Sequence, residues 1–143
     1  MSLALDLKLG EKKLSVDDFP DAKVRLINQG SDMIIVNARM LLAPFSYPPM
    51  HKEVSFFVSG PEGSVNMNKF RVNAGKPTIE NFVRLFPGEY IFQTYELSKY
   101  FSFSIKGEYK IIVEYSNVAS FIIHDKMSWQ GKIISNEEYF ELL

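Results

Sequence analysis

The chain has 143 residues, with sixteen Lys and Arg against seventeen Asp and Glu and a net charge of −1 at pH 7. That is the size of one ordinary domain, and at this length folding buries roughly 68–70% of the surface of the unfolded chain, so a core forms without metal or disulfide. The charge balance excludes the basic face of a nucleic-acid binder and the polybasic patch of a membrane-surface protein. No apolar run reaches the roughly 18–20 residues of a membrane helix, and the lack of cysteine excludes disulfides and thiolate metal sites.

Aromatic residues make up 14% of the chain, with twelve Phe and seven Tyr, which suits pleated, half-buried strands. Met1-Ser2-Leu3 lacks the charged and apolar regions of a signal peptide. It reads as a cloning remnant on a mature domain whose leader has been removed, and the expectation is an exported protein, periplasmic or extracellular. One domain is expected over 1–143, since no linker, repeat or low-complexity tract divides it.

Residues 3–10, Leu-Ala-Leu-Asp-Leu-Lys-Leu-Gly, alternate leucine with other residues, and 21–28 alternate Ala22, Val24 and Leu26 with Lys23 and Arg25. Both read as strands with one buried face. Asn28 to Asp32 is a turn. Residues 33–42 read as one longer, central strand with Ile34, Val36, Ala38 and Met40 inward. Three prolines make 43–50 a loop, because proline removes a ladder donor and fixes φ.

A strand over 53–59, a Gly60–Gly63 hairpin turn and a returning strand over 64–73 follow, then a loop over 74–77. Residues 78–86 and 89–97 are strands flanking Pro87-Gly88, a pair suited to a type II turn. Ser98 is placed to cap a short helical turn through Phe101. Tyr109, Ile111, Val113 and Tyr115 alternate with Glu108, Lys110 and Glu114 in the clearest strand of the chain. Strands over 121–124 and 129–143 close it, the acidic end reading as strand rather than helix.

Leu97-Ser98-Lys99-Tyr100-Phe101 and the run from Ile105 through Gly107, Tyr109 and Ile111 resemble the corner before the sixth strand of immunoglobulin-like sandwiches, where a Tyr hydroxyl reaches back to upstream backbone. The resemblance implies an all-β, immunoglobulin-like antiparallel β-sandwich of seven to nine strands, with Tyr109, Leu97 and Gly107 at its corner. Ile111 stands where antibody domains keep a cysteine, and Trp129 is not on the third strand, which points to an immunoglobulin-like or fibronectin-like variant. Phe82 to Glu89, Leu97 to Phe101, Gly107-Glu108-Tyr109, Trp129-x-Gly131 and Ser135-Asn136 are also similar to the non-catalytic domain preceding the catalytic part of peptidyl-Lys (deuterolysin-type) metalloendopeptidases. The His-Glu-x-x-His signature of that catalytic part is missing, so the likeness implies an accessory module and carries over no active-site residue.

Catalytic motifs are not found: Gly-x-Ser-x-Gly, Ser-x-x-Lys and phosphate loops are all missing. His51 and His124 are the only histidines, and His124 and Asp125 point to opposite faces of a strand, so no metal and no cofactor is expected. The best binding candidate is the loop carrying Phe45, Tyr47, Met50 and His51, whose prolines stiffen a segment rich in large apolar groups. The competing reading folds these side chains back to plug an end of the sandwich. Trp129 with Tyr139 or Tyr95 offers a flat platform for sugars, against a packing role for the Trp.

The expected function is a non-catalytic accessory or protein-interaction module of an exported bacterial protein. A carbohydrate-binding module and an immunoglobulin-like protease inhibitor using loop 43–52 are the alternatives. Its partner is thus a protein or a polysaccharide, with no nucleic acid and no membrane span. Replacing Phe45 and Tyr47 with Ser separates a presented loop from a plug. A presented loop leaves the Tm nearly unchanged, whereas a plug loses several kcal/mol, on the scale of about 3–5 kcal/mol for truncating a buried Phe.

Overall fold

The computed structural model describes residues 3–15, 18–44, 46–68, 70 and 75–143. Among them are thirteen strands. They are β1 (Leu3–Leu9), β2 (Lys13–Leu14), β3 (Asp21–Asn28), β4 (Ile34–Asn37), β5 (Val54–Gly60), β6 (Gly63–Val65), β7 (Phe82–Leu85), β8 (Tyr90–Glu96), β9 (Gly107–Asn117), β10 (Ile122–Ile123), β11 (Lys126–Met127), β12 (Gly131–Ile134) and β13 (Glu138–Leu142). The fold is an all-β sandwich. The strand number exceeds the seven to nine expected because long segments break into short pieces.

Period-two alternation builds the first layer. All four leucines of β1 are buried, and β3 buries Ala22, Val24, Leu26 and Asn28. The two pair antiparallel from Leu3 opposite Asn28 to Leu9 opposite Ala22, and β8 joins the other side of β3, from Asp21 opposite Glu96 to Ile27 opposite Tyr90. The second layer runs in the order β2, β13, β9, β5, β6, with β12 lying ahead of β13 along the same side of β9. All of these pairs are antiparallel except β2 with β13. Leu7, Val24 and Leu26 from one layer and Phe56, Ile111, Val113, Tyr115 and Phe140 from the other share one buried cluster. Burying such side chains contributes roughly 1.5–3 kcal/mol each.

Residues 33–42 do not form the single strand expected. β4 ends at Asn37, and all four of its residues are buried rather than alternate ones. Beyond it the backbone turns through Met40, whose φ of 48° is left-handed and rare for a residue with a side chain. Polar groups from other strands hold the bend. The Tyr115 hydroxyl donates to the Asn37 carbonyl at 2.8 Å and the Tyr95 hydroxyl to that of Met40 at 2.5 Å. Glu53, buried, accepts from both Nε and an Nη of Arg39 at 2.8 and 2.7 Å and from the Leu41 amide at 2.9 Å. β4 pairs instead with β7, antiparallel, and a second small core of Ile35, Phe82 and Ala119 forms beside it.

The returning strand expected over 64–73 shortens to β6, with residues 69 and 71–74 outside the described set. Residues 79–81 form a 3₁₀ turn before β7. Ser98 lies inside a 3₁₀ turn over Leu97–Lys99 and does not cap it, since the chain leaves β8 through Glu96 directly into the turn. The acidic end is strand, as β13.

The Tyr109 hydroxyl donates to the Ile105 carbonyl at 2.6 Å. Its ring stacks on Phe140 with centroids 5.1 Å apart and meets Phe103 edge-on at 5.2 Å. Glycine is required on both flanks. A Cβ on Gly60 would stand 2.4 Å from the Tyr109 ring, and Gly107, at φ +133°, would bring one within 2.7 Å of Pro61.

The last segment breaks between β12 and β13 at Ser135-Asn136. Ser135 keeps the ladder to β9, its hydroxyl accepting from the Val113 amide at 3.0 Å. Asn136 crosses to the other layer, where its side chain accepts from the Leu7 amide at 2.9 Å and donates to the Leu7 carbonyl at 3.0 Å. These bonds satisfy the outward N–H and C=O of Leu7 as a neighbouring strand would. Asn136→Ala is expected to cost about 1–3 kcal/mol, two net hydrogen bonds, read as a lower urea midpoint at an unchanged m-value. A midpoint equal to the parent's would show that the clamp carries no stability.

Candidate interaction edge

A sandwich of two open sheets has four outer strands, and each is a row of backbone groups able to pair with another chain. Of the other three, β1 is bonded from outside at Leu7 by Asn136, β2 has two residues and β6 has three; β12 and the separate β4–β7 pair expose only four-residue strands. The remaining outer strand, β8, has seven residues, Tyr-Ile-Phe-Gln-Thr-Tyr-Glu, and pairs with β3 without a bulge along its whole length. It carries no Pro and no Lys, the usual guards of an edge, and is rich in the aromatic and β-branched residues that favour strands.

The ladder shows which backbone groups are open. Leu7 turns its N–H and C=O to Asn136, away from β3, and pairs with Val24, so Val24 turns its own toward β8 and its partner Gln93. The Asn28 amide donating to the Glu89 carbonyl at 3.0 Å gives the same phase. By alternation Ile91, Gln93 and Tyr95 bond to β3, while Tyr90, Phe92, Thr94 and Glu96 direct their backbone groups to the free side. Among the described residues no hydrogen bond reaches these four from that side.

The same four residues project their side chains onto the outer face of the sheet. Tyr90 is 47% and Phe92 50% exposed. Lys23 Nζ stands 4.4 Å from the Phe92 ring centre and the Arg25 guanidinium 4.9 Å from that of Tyr90. Arg25 also pairs with Asp6 at 3.2 Å. The cations hold the rings upright, at an exposed-site worth of about 0.5–1 kcal/mol each. Glu96 and Lys99, 3.6 Å apart and both exposed, add little. The inner side of β8 is anchored by Tyr95, whose ring meets Phe56 edge-on at 5.5 Å and whose hydroxyl is spent on Met40. The strand is thus a rigid ledge rather than a loose flap.

The loop favoured by the sequence is arranged differently. Phe45 lies outside the described residues. Tyr47 is half-buried, its hydroxyl donating to the Phe70 carbonyl at 3.3 Å. Met50 packs against the Ile35, Phe82 and Ala119 cluster, and His51 closes a 3₁₀ turn over Pro49–His51. Tyr47 and Met50 therefore take the inward positions of a plug. A shallow cavity of about 410 Å³ lies between the loop's base at Pro44 and Ser46 and strands β5 and β6.

Trp129 packs on Tyr115, ring centres 5.8 Å apart, and Tyr95 is buried, so neither joins the exposed Tyr139 in a platform. Tyr139 instead donates to Glu137 at 2.7 Å, which raises its pKa. His124 and Asp125 sit at the tip of the β10–β11 hairpin with φ of 50° and 61°. Among the described residues no three His, Asp or Glu side chains gather as metal ligands. Tyr109, Leu97 and Gly107 stay together at one corner, Leu97 fully buried. The sequence reading had 89–97 as a strand but not that this strand ends a sheet, which its composition does not mark. No protein family matches the chain, and no curated protein matches it.

Burial, and then the nearby Glu53 carboxylate, push the hydroxyls of Tyr95 and Tyr115 well above the ordinary tyrosine pKa. A pKa raised on folding gives stability that is complete below the unfolded value of about 10 and is lost as pH climbs past it. Each of the two removes about 1.4 kcal/mol per pH unit in that window. Denaturant unfolding between pH 9 and 12 is expected to show this slope, and Tyr115→Phe to lessen it. A flat profile to pH 12 would contradict the assignment.

Proposed function

We propose that the protein is a non-catalytic, immunoglobulin-like accessory module that holds a partner protein by taking an extended segment of it alongside β8. The observation that carries this is the seven-residue edge of β8, whose four outward-facing residues receive no hydrogen bond among the described residues and which has neither Lys nor Pro. Strand addition draws affinity from main-chain hydrogen bonds and selectivity from alternate side chains, and β8 offers both, with Tyr90, Phe92 and Thr94 standing on one face. The Tyr109 latch onto Ile105 supports the immunoglobulin-like part of the reading. The lack of cysteine suits work outside the cytoplasm of a bacterium, where thiols oxidise.

The two alternatives have less behind them. Sugar binding on the Trp129 platform needs open ring faces, and Trp129 packs on Tyr115 while Tyr95 is buried. Inhibition by loop 43–52 needs a projecting loop, and Tyr47 and Met50 are turned inward.

Thr94→Pro deletes one outward N–H at a position where an edge strand tolerates proline. Panning a phage library of unstructured peptides on the parent is expected to yield binders whose affinity falls at least tenfold on Thr94→Pro, with the circular dichroism of the two proteins alike. An empty selection, or binders indifferent to the substitution, would remove the proposal.

A further inference from the structure

We propose that the segment received by β8 is the β8 of a second copy of this chain, giving a two-fold dimer with a continuous sheet β1-β3-β8-β8-β3-β1. The inference rests on the reading of β8 as an open edge and names its occupant.

A strand pairs with its own copy only if the register that covers it suits hydrogen-bond phase, charge and shape together. For β8 the antiparallel register that pairs all seven residues is centred on Gln93. It sets Phe92 opposite the partner's Thr94, Tyr90 opposite the partner's Glu96 and Ile91 opposite the partner's Tyr95. The phase is correct, because Phe92 and Thr94 both direct their backbone groups outward and so exchange bonds as a close pair. Gln93 faces the partner's Gln93 as a non-hydrogen-bonded pair on the axis.

Charge agrees as well. The only ionised side chain on β8 is Glu96, and the two copies of it lie at opposite ends of the ribbon, so no like charges face each other. The partner's Glu96 arrives beside Tyr90, the ring that carries the Arg25 guanidinium 4.9 Å from its centre, and so approaches a cation. A net charge of −1 leaves little long-range repulsion between copies. The exposed faces of Tyr90 and Phe92 gain cross-strand neighbours on one side of the new sheet.

The chain lacks cysteine, so one introduced thiol reports on one position. Sedimentation velocity of the parent across a concentration series is expected to show the dimer mass, and Thr94→Pro the monomer mass with circular dichroism unchanged. Gln93→Cys, on the axis, is expected to form an intermolecular disulfide under mild oxidation, because a non-hydrogen-bonded pair brings Cα atoms to about 4.5 Å. Lys8→Cys, exposed on the far strand β1, is expected to stay reduced. A parent that remains monomeric, a dimer that survives Thr94→Pro, or Gln93→Cys that crosslinks no faster than Lys8→Cys would each overturn the proposal. A monomer that still holds peptides sensitive to Thr94→Pro would overturn the second copy alone and leave the open-edge reading standing.

Discussion

An unpaired strand edge must be closed, shortened or used, and this protein is organised around that constraint. Two open sheets stacked face to face bury their side chains but leave backbone donors and acceptors along every outer strand. The chain interrupts one such row with a single side-chain amide, Asn136, which reaches across from the second layer to the N–H and C=O of Leu7. It keeps two others too short to template a partner. The remaining row, on β8, is long, regular and stiffened from behind, and the functional reading grows from that asymmetry.

The stiffening comes from polar groups inside the sandwich. Tyr95 and Tyr115 present rings to the core and spend their hydroxyls on carbonyls of the bend after β4. That bend is also tied by the buried Arg39–Glu53 pair and the Leu41 amide. A buried ion pair seldom adds net stability over an apolar substitute, because both charges lose water. Its contribution here is geometric, holding a left-handed Met40 in place so that the Tyr95 hydroxyl has a fixed acceptor. Through Tyr95 the arrangement keeps β8 flat against Phe56. The strand that offers its edge is therefore held by three other segments of the fold.

Much of the fold was legible in the residues. Alternating leucines marked β1, alternating tyrosines and aliphatics marked β9, and Pro87-Gly88 marked a turn in which Gly88 indeed takes a positive φ, 85°. The run 33–42 was misread because its apolar content satisfies a strand, while the bend at Met40 depends on hydroxyls from Tyr95 and Tyr115, more than fifty residues away. The candidate loop stayed open to two readings for a related reason. Large apolar residues beside prolines look the same in sequence whether they project, like a binding loop, or pack inward, as Met50 does against Ile35 and Phe82.

Local chemistry decided which segments are strands and which face of each is apolar, since period-two alternation and turn residues act over a few neighbours. It could not decide which strand ends a sheet. Tyr90 to Glu96 has the composition of a central strand, and it lies at an edge only because β3 takes it as its second partner and no described strand pairs beyond it. Edge position is a property of long-range pairing, set where the whole chain minimises buried, unpaired backbone, and so the tertiary structure alone shows that β8 ends a sheet.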